Sequence, residues 1–179
     1  MTKYDGVSNS VIKRLPRYYR FLGELKENGV IRISSKDLSQ KMGFTASQIR
    51  QDLNCFGGFG QQGYGYNIES LYNEIGSILG VNNNRKAILI GAGHLGRALM
   101  AHDGFSSYGL DIICAFDNDI NKTDCIFNNK HIYSLGELER ITVESNVHIA
   151  ILTVPQKYAQ EICDKLVAIG IRGIWNFSS

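Results

Sequence analysis

Apolar residues recur in two rhythms along this 179-residue chain, and the change of rhythm falls near position 80. In the first part the spacing is helical. Leu15, Tyr18, Tyr19, Leu22 and Leu25 stand three and four apart, which predicts a helix over 15–26 with Pro16 in its first turn. Ser34 suits an N-cap, Leu38 and Met42 form one apolar stripe, and Gly43 marks a stop. Thr45-Ala46-Ser47-Gln48 reads as a capping box that opens another helix, with Ala46, Ile49 and Leu53 on its buried face. Two short helices joined through Gly43-Phe44 make a helix-turn-helix. The glycine-rich stretch from Phe56 to Tyr66 then predicts a hairpin, a candidate wing.

The second part alternates strand-like and helical patterns. Strand-like runs lie near 86–91, 110–116, 130–133, 147–153 and 172–177, and helical patterns near 94–102, 135–144 and 156–168, with Gly170 as a stop. Such alternation predicts a parallel sheet with helices on both faces. The polar bridge Val81-Asn82-Asn83-Asn84-Arg85 separates the two rhythms, so the expected domains are 1–80 and 81–179.

Chemistry enters at Gly91-Ala92-Gly93-His94-Leu95-Gly96. These residues follow the apolar run from Lys86 to Ile90, open a helical pattern, and precede Asp117 at the end of the next strand-like run. That is the context of a dinucleotide fingerprint. The first glycine permits the tight turn, the second lets backbone approach a pyrophosphate, and the third lets helix pack on strand. The helix N-terminus supplies unpaired N–H groups for phosphate. Asp117 can accept from both adenosine ribose hydroxyls and repels a 2′-phosphate, and no Arg occurs in the following Asn118-Asp119-Ile120-Asn121. The site therefore reads as one for NAD(H). Thr153-Val154-Pro155 falls at a strand's C-terminal end, the edge where such sheets bind ligands.

Charge divides the halves further. Residues 1–80 carry ten Lys/Arg against seven Asp/Glu, whereas 81–179 carry nine against ten. Lys13, Arg14, Arg17 and Arg20 crowd the first helix, and Ser47, Gln48, Arg50, Gln51 and Asn54 face outward on the third. Cations beside short polar side chains suit phosphates and base edges respectively. Cys55, Cys114, Cys125 and Cys163 lack metal-ligand spacing and read as reduced thiols of a cytoplasmic protein. Neither a signal peptide nor a membrane-spanning stretch is expected. Two other classes fit parts of the pattern. A dehydrogenase would need a proton donor beside the nicotinamide, for which His102 is the candidate, and a substrate domain. A coenzyme A module would place a 3′-phosphate against Asp117.

Several segments together carry a family resemblance. They are Lys13 to Arg20, Ser34 to Leu38, Ile49-Arg50-Gln51-Asp52-Leu53, Phe56 to Tyr66, Gly91 to Gly96, Ala115-Phe116-Asp117, Ile151 to Pro155 and Gly173 to Phe177. Over essentially the whole chain they resemble the Rex family of redox-sensing transcriptional repressors. The resemblance implies an α+β winged-helix DNA-binding domain followed by an α/β Rossmann domain with a mostly parallel sheet. It also implies a non-enzymatic homodimer on an A/T-rich inverted-repeat operator, released when NADH replaces NAD+. DNA contacts are expected from Lys13, Arg14, Arg17, Ser47, Gln48, Arg50, Gln51, Asn54 and Gln62. Cofactor contacts are expected from Gly91, Ala92, Gly93, His94, Leu95, Gly96, His102, Phe105, Asp117, Asn118, Thr153, Val154 and Pro155. The chain departs from the family pattern at Gln51 and Gln61-Gln62, where basic residues are usual, and at His102, where Tyr is frequent. Family members also continue past the Asn176-Phe177 region into a helix exchanged between subunits. The sequence ends at Ser179, so weaker dimerisation and a weaker redox response are expected of it.

Overall fold

The computed structural model describes residues 7–57, 60–61 and 64–178, with backbone alone described at 60 and 61. Gln62, expected at the wing, lies outside the described residues. The chain divides into two compact units, Met1–Gly80 and Val81–Ser179.

Helix α1 spans Asn9–Glu27, well before the expected start at Leu15. Ser8 caps it by accepting from the Val11 N–H, and Val11 extends the buried stripe of Leu15, Tyr18, Leu22 and Leu25. Pro16 is consequently an interior residue rather than a first-turn one. Its ring sits on the exposed side, where water can reach the Ile12 carbonyl that Pro16 leaves without a helical donor. Helix α2, Ser35–Met42, begins at the Ser34 cap and ends at Gly43 with φ 71°. Helix α3, Ala46–Asn54, begins at Thr45, whose hydroxyl accepts from the Gln48 N–H at 3.1 Å.

A small antiparallel sheet completes this unit. β1 (Arg32–Ile33) and β2 (Gly60–Gln61) flank β3 (Gly65–Asn67). Neither β1 nor helix α4, Ile68–Leu79, which runs from the Asn67 cap to Gly80, is among the expected elements. Ile68, Leu71 and Ile75 of α4 are buried with Leu15, Tyr18, Leu38, Ile49 and Leu53 in the interior of this unit.

The second unit is a six-stranded sheet. Its strands are β4 (Arg85–Ile90), β5 (Leu110–Asp117), β6 (Cys125–Phe127), β7 (Lys130–Ser134), β8 (Ile149–Leu152) and β9 (Gly173–Asn176). They lie in the order β6-β7-β5-β4-β8-β9, all parallel except the edge strand β6, which the apolar pattern does not predict. Chain progress across the sheet reverses between β4 and β8, so a crevice opens at their C-terminal ends. Both faces are covered. Ile88 and Ile90 pack with Leu138 and Ile141 of α6 (Leu138–Glu144) and with Ile162 and Leu166 of α7 (Gln156–Ala168). Ala87 and Leu89 pack on the other side with Met100 of α5 (His94–Ala101). A register irregularity pairs Ala87 with Ile112 but Ile88 with Cys114, leaving Ile113 as the extra residue. The helix expected over 135–144 is a 3-10 turn at Leu135–Glu137 followed by α6. Among the described residues, no helix is long and apolar enough to cross a membrane.

Candidate functional site

The Gly91–Gly96 turn sits at the crevice, and its shape follows from what a side chain would meet there. Gly91 has φ 102°, and a Cβ on it would lie 2.9 Å from the Thr153 carbonyl oxygen. A Cβ on Gly96 would strike the carbonyl oxygen of Gly91 itself. These two glycines seat the first turn of α5 against β4 and β8. Gly93 differs: it is the N-cap of α5, and a Cβ there would meet nothing within 4 Å. The space above Gly93 is thus open where the α5 N–H groups point, which suits a pyrophosphate.

Hydrogen bonds tie the strand ends together around this opening. Gly91 N–H donates to the Phe116 carbonyl at 2.8 Å, and Thr153 N–H to the Ile90 carbonyl at 2.9 Å. The Thr153 hydroxyl donates to the Gly91 carbonyl at 2.7 Å. Asp117 is buried, and both its oxygens are engaged by the backbone. Oδ2 accepts from the Ala92 N–H at 2.8 Å and Oδ1 from the Asp119 N–H at 2.9 Å. Each oxygen keeps a further lone pair for a ribose hydroxyl.

A cavity of about 900 Å³ opens beside these groups. Of the expected cofactor residues, Gly91, Gly93, Leu95, Asp117, Asn118, Thr153, Val154 and Pro155 line it. The other five are placed differently. The Ala92 N–H is spent on Asp117, so its task is to close the loop. Gly96 is buried and serves helix–strand packing. His94 opens α5 with its side chain exposed and outside the lining. His102 ends α5, and its ring meets Phe105 edge-on at 4.9 Å. Phe105 in turn meets Trp175 at 5.6 Å, and Trp175 meets Phe177 at 4.7 Å. Phe177 alone of these four lines the cavity, so His102 and Phe105 connect to it through the rings of Trp175 and Phe177.

Phe177 was missed as a site residue, as were Lys122, Leu135, Leu138, Tyr158 and Lys165. The helical ones left no signal because a cavity-facing Leu138 or Tyr158 has the spacing of a core residue. Lys122 lies one residue beyond the cation-free stretch Asn118 to Asn121, and the turn after β5 carries it back. Its ammonium stands 3.3 Å from Asp119 Oδ2 and 3.8 Å from Asp117 Oδ1.

In the first unit, α3 presents Ser47, Arg50, Gln51 and Asn54 to solvent, with Gln48 half-buried. Arg50 Nη1 donates to the Ser35 hydroxyl at 3.0 Å, which ties the α3 face to the start of α2. Beneath that face lies a polar cluster that no sequence pattern marks. Asp52 is 2 % exposed and faces α1. Its carboxylate accepts from Arg14 Nε and Nη2, both at 2.7 Å, and from the Tyr18 hydroxyl at 2.9 Å. Burial, and then the bond to Asp52, push the Tyr18 hydroxyl well above the usual tyrosine range. Arg14, expected on phosphate, is committed to this pair, because a buried carboxylate needs a fixed counter-charge. Lys13 and Arg17 remain exposed on α1. Arg17 donates to the Met42 carbonyl at 3.2 Å and stands over the Phe44 ring at 4.6 Å.

Comparison with known proteins matches both units. Residues 6–54 match a family described as Putative DNA-binding protein N-terminus, and residues 82–179 a family described as CoA binding domain. A redox-sensing transcriptional repressor Rex of Clostridium perfringens is 49 % identical over 178 residues, which cover 99 % of this chain and 84 % of that protein. Among solved structures, RSP in complex with NAD+ and operator DNA superposes with a TM-score of 0.93 at 47 % identity, covering 96 % of this chain and 79 % of that one. RSP in complex with NADH superposes with a TM-score of 0.88 at 43 % identity, covering 97 % and 81 %.

Proposed function

Since this chain belongs to the Rex family of redox-sensing transcriptional repressors, we propose that it holds operator DNA through α3 and leaves it when NADH replaces NAD+. The observation that carries this reading is the union in one chain of an outward polar helix face and a dinucleotide cradle. In the first unit, Ser47, Gln48, Arg50, Gln51 and Asn54 reach base edges in the major groove, and Lys13 and Arg17 meet phosphates. Arg14 acts one step back, by holding Asp52 and with it the angle of α3. In the second unit, the α5 N-terminus above Gly93 receives the pyrophosphate and Asp117 the adenosine ribose. The nicotinamide end lies toward Thr153, Val154, Pro155 and Phe177. NAD(H) is a regulatory ligand here and not a co-substrate: the protein is a repressor and no enzyme.

The protein works in the cytoplasm as a homodimer on an A/T-rich inverted repeat, since two copies of α3 match two half-sites of opposite direction. The coenzyme A class is disfavoured by Asp117, whose carboxylate repels a phosphate on the adenosine ribose. A gel shift on an inverted-repeat operator, with NAD+, NADH, NADPH or coenzyme A added, tests the whole reading. Release by NADH alone is expected, and equal release by all four ligands would refute it.

A further inference from the structure

The ribose end of the cavity holds three charges in a fixed arrangement. Asp117 lies at the bottom, and Lys122 and Asp119 lie at the rim. Asp119 is not a loosely solvated carboxylate. Its Oδ1 accepts from both the backbone N–H and the side-chain amide of Asn121, each at 3.0 Å. That leaves Oδ2 aimed at the Lys122 ammonium, 3.3 Å away. These partners, the Asn121 N–H foremost and then Lys122, hold the Asp119 carboxyl below the usual carboxylate range, so it is charged at neutral pH.

A cation at this edge of a Rossmann sheet has a known chemical use, since it can neutralise a phosphate on the adenosine 2′-oxygen. By sequence spacing alone, Asp117 would be the sole arbiter of that choice. The structure instead places an ammonium within 4 Å of Asp117, where it favours an anion, and a second carboxylate beside it that cancels the attraction. We propose that Asp119 determines cofactor specificity together with Lys122, by holding that ammonium as an internal ion pair so that it is not offered to a 2′-phosphate. This inference rests on the reading of the cavity as an NAD(H) site.

The three charges then sum to one negative, which disfavours NADPH. Replacing Asp119 by Asn keeps the acceptor for Asn121 but removes the charge, and the ammonium turns to the cavity. Replacing Lys122 leaves two carboxylates facing the ribose. The effects on the two cofactors are therefore opposite in sign for the two residues, which a merely structural role would not produce.

The test uses the full chain and fluorescence titrations with NADH and NADPH. Asp119→Asn should raise the NADPH-to-NADH affinity ratio by about tenfold, in keeping with a single charge-assisted hydrogen bond from Lys122 to the 2′-phosphate at an exposed rim. Lys122→Ala should lower that ratio, and Asp119→Asn combined with Lys122→Ala should lose the increase that the first change brings. The proposal is overturned if Asp119→Asn leaves the ratio unchanged, or if the double variant keeps the increase. A wild-type chain that binds neither nucleotide would refute the NAD(H) reading itself, whereas tight NADH binding with an unaltered ratio in the variants refutes only the role of Asp119 and Lys122.

Discussion

At the scale of single residues, buried carboxylates decide more than exposed cations. Asp52 accepts three hydrogen bonds from α1, and removing it would strand the Arg14 guanidinium without its partner. Asp52→Ala should therefore cost about 1–3 kcal/mol of stability, chiefly by leaving the buried Tyr18 hydroxyl without its acceptor, measured as a shift in the denaturant midpoint. Operator affinity should fall with it, although Asp52 is buried beneath the α3 face. Cys114 gives a pH prediction. Burial pushes its thiol up to about 12, so the folded state holds this proton more tightly than the unfolded chain does. The corresponding stability is complete below the ordinary thiol range near 9 and is lost as pH rises from there toward about 12. Cys114→Ala should flatten the alkaline limb of a stability-against-pH curve recorded by thermal unfolding. An unchanged limb would show that other groups set it.

At the scale of elements, the glycine turn and α3 each offer a contrast. Gly93→Val adds a side chain into open space, so it should spare the melting temperature and abolish NADH binding. Gly96→Ala drives a Cβ into the Gly91 carbonyl and should lower both. A titration paired with a melting curve separates the two outcomes. On α3, Gln51 matches adenine N6 and N7, so Gln51→Lys should move base preference toward guanine by roughly 1–3 kcal/mol in a binding-site selection. Capping signals made α2, α3 and α5 legible, because Ser34, Thr45 and the glycine fingerprint act on adjacent backbone. Helix α4 carries a comparable signal in Asn67, Ile68, Leu71 and Ile75, but it follows the glycine-rich hairpin without a break that would set it apart. Edge strand β6 was not legible, since three residues paired by a turn of Asn128 and Asn129 carry no periodicity. Nor was the Arg14–Asp52–Tyr18 cluster, which joins residues 34 and 38 positions apart.

At the scale of the whole molecule, the two units must exchange free energy if a nucleotide is to govern DNA binding. Linkage makes that exchange symmetrical: whatever factor NADH removes from operator affinity, the operator must remove from NADH affinity. NADH titrations with and without saturating operator should therefore differ by the same factor as operator titrations with and without NADH. Unequal factors would mean that a third equilibrium, such as subunit association, takes up the difference. The succession of a helical part and a mostly parallel α/β part was readable at this scale from the change in apolar rhythm. The chain segments that line the cavity were only partly readable, because Lys122, Tyr158 and Phe177 arrive there through turns and helix packing rather than through a local pattern.

The bond from the Ala92 N–H to Asp117 has an evolutionary consequence. The Asp117 carboxylate closes the glycine turn through that bond while it lines the cavity. In a Rossmann domain where such a carboxylate only reads the ribose, its loss weakens the ribose contact alone and is a single step toward a phosphorylated cofactor. Here the same step would also loosen the glycine turn, so lineages crossing it would lose the ligand before acquiring another. Drift is left to the rim, where Asp119 and Lys122 can vary without opening the turn, and a descendant with altered cofactor preference should carry its changes there and keep Asp117.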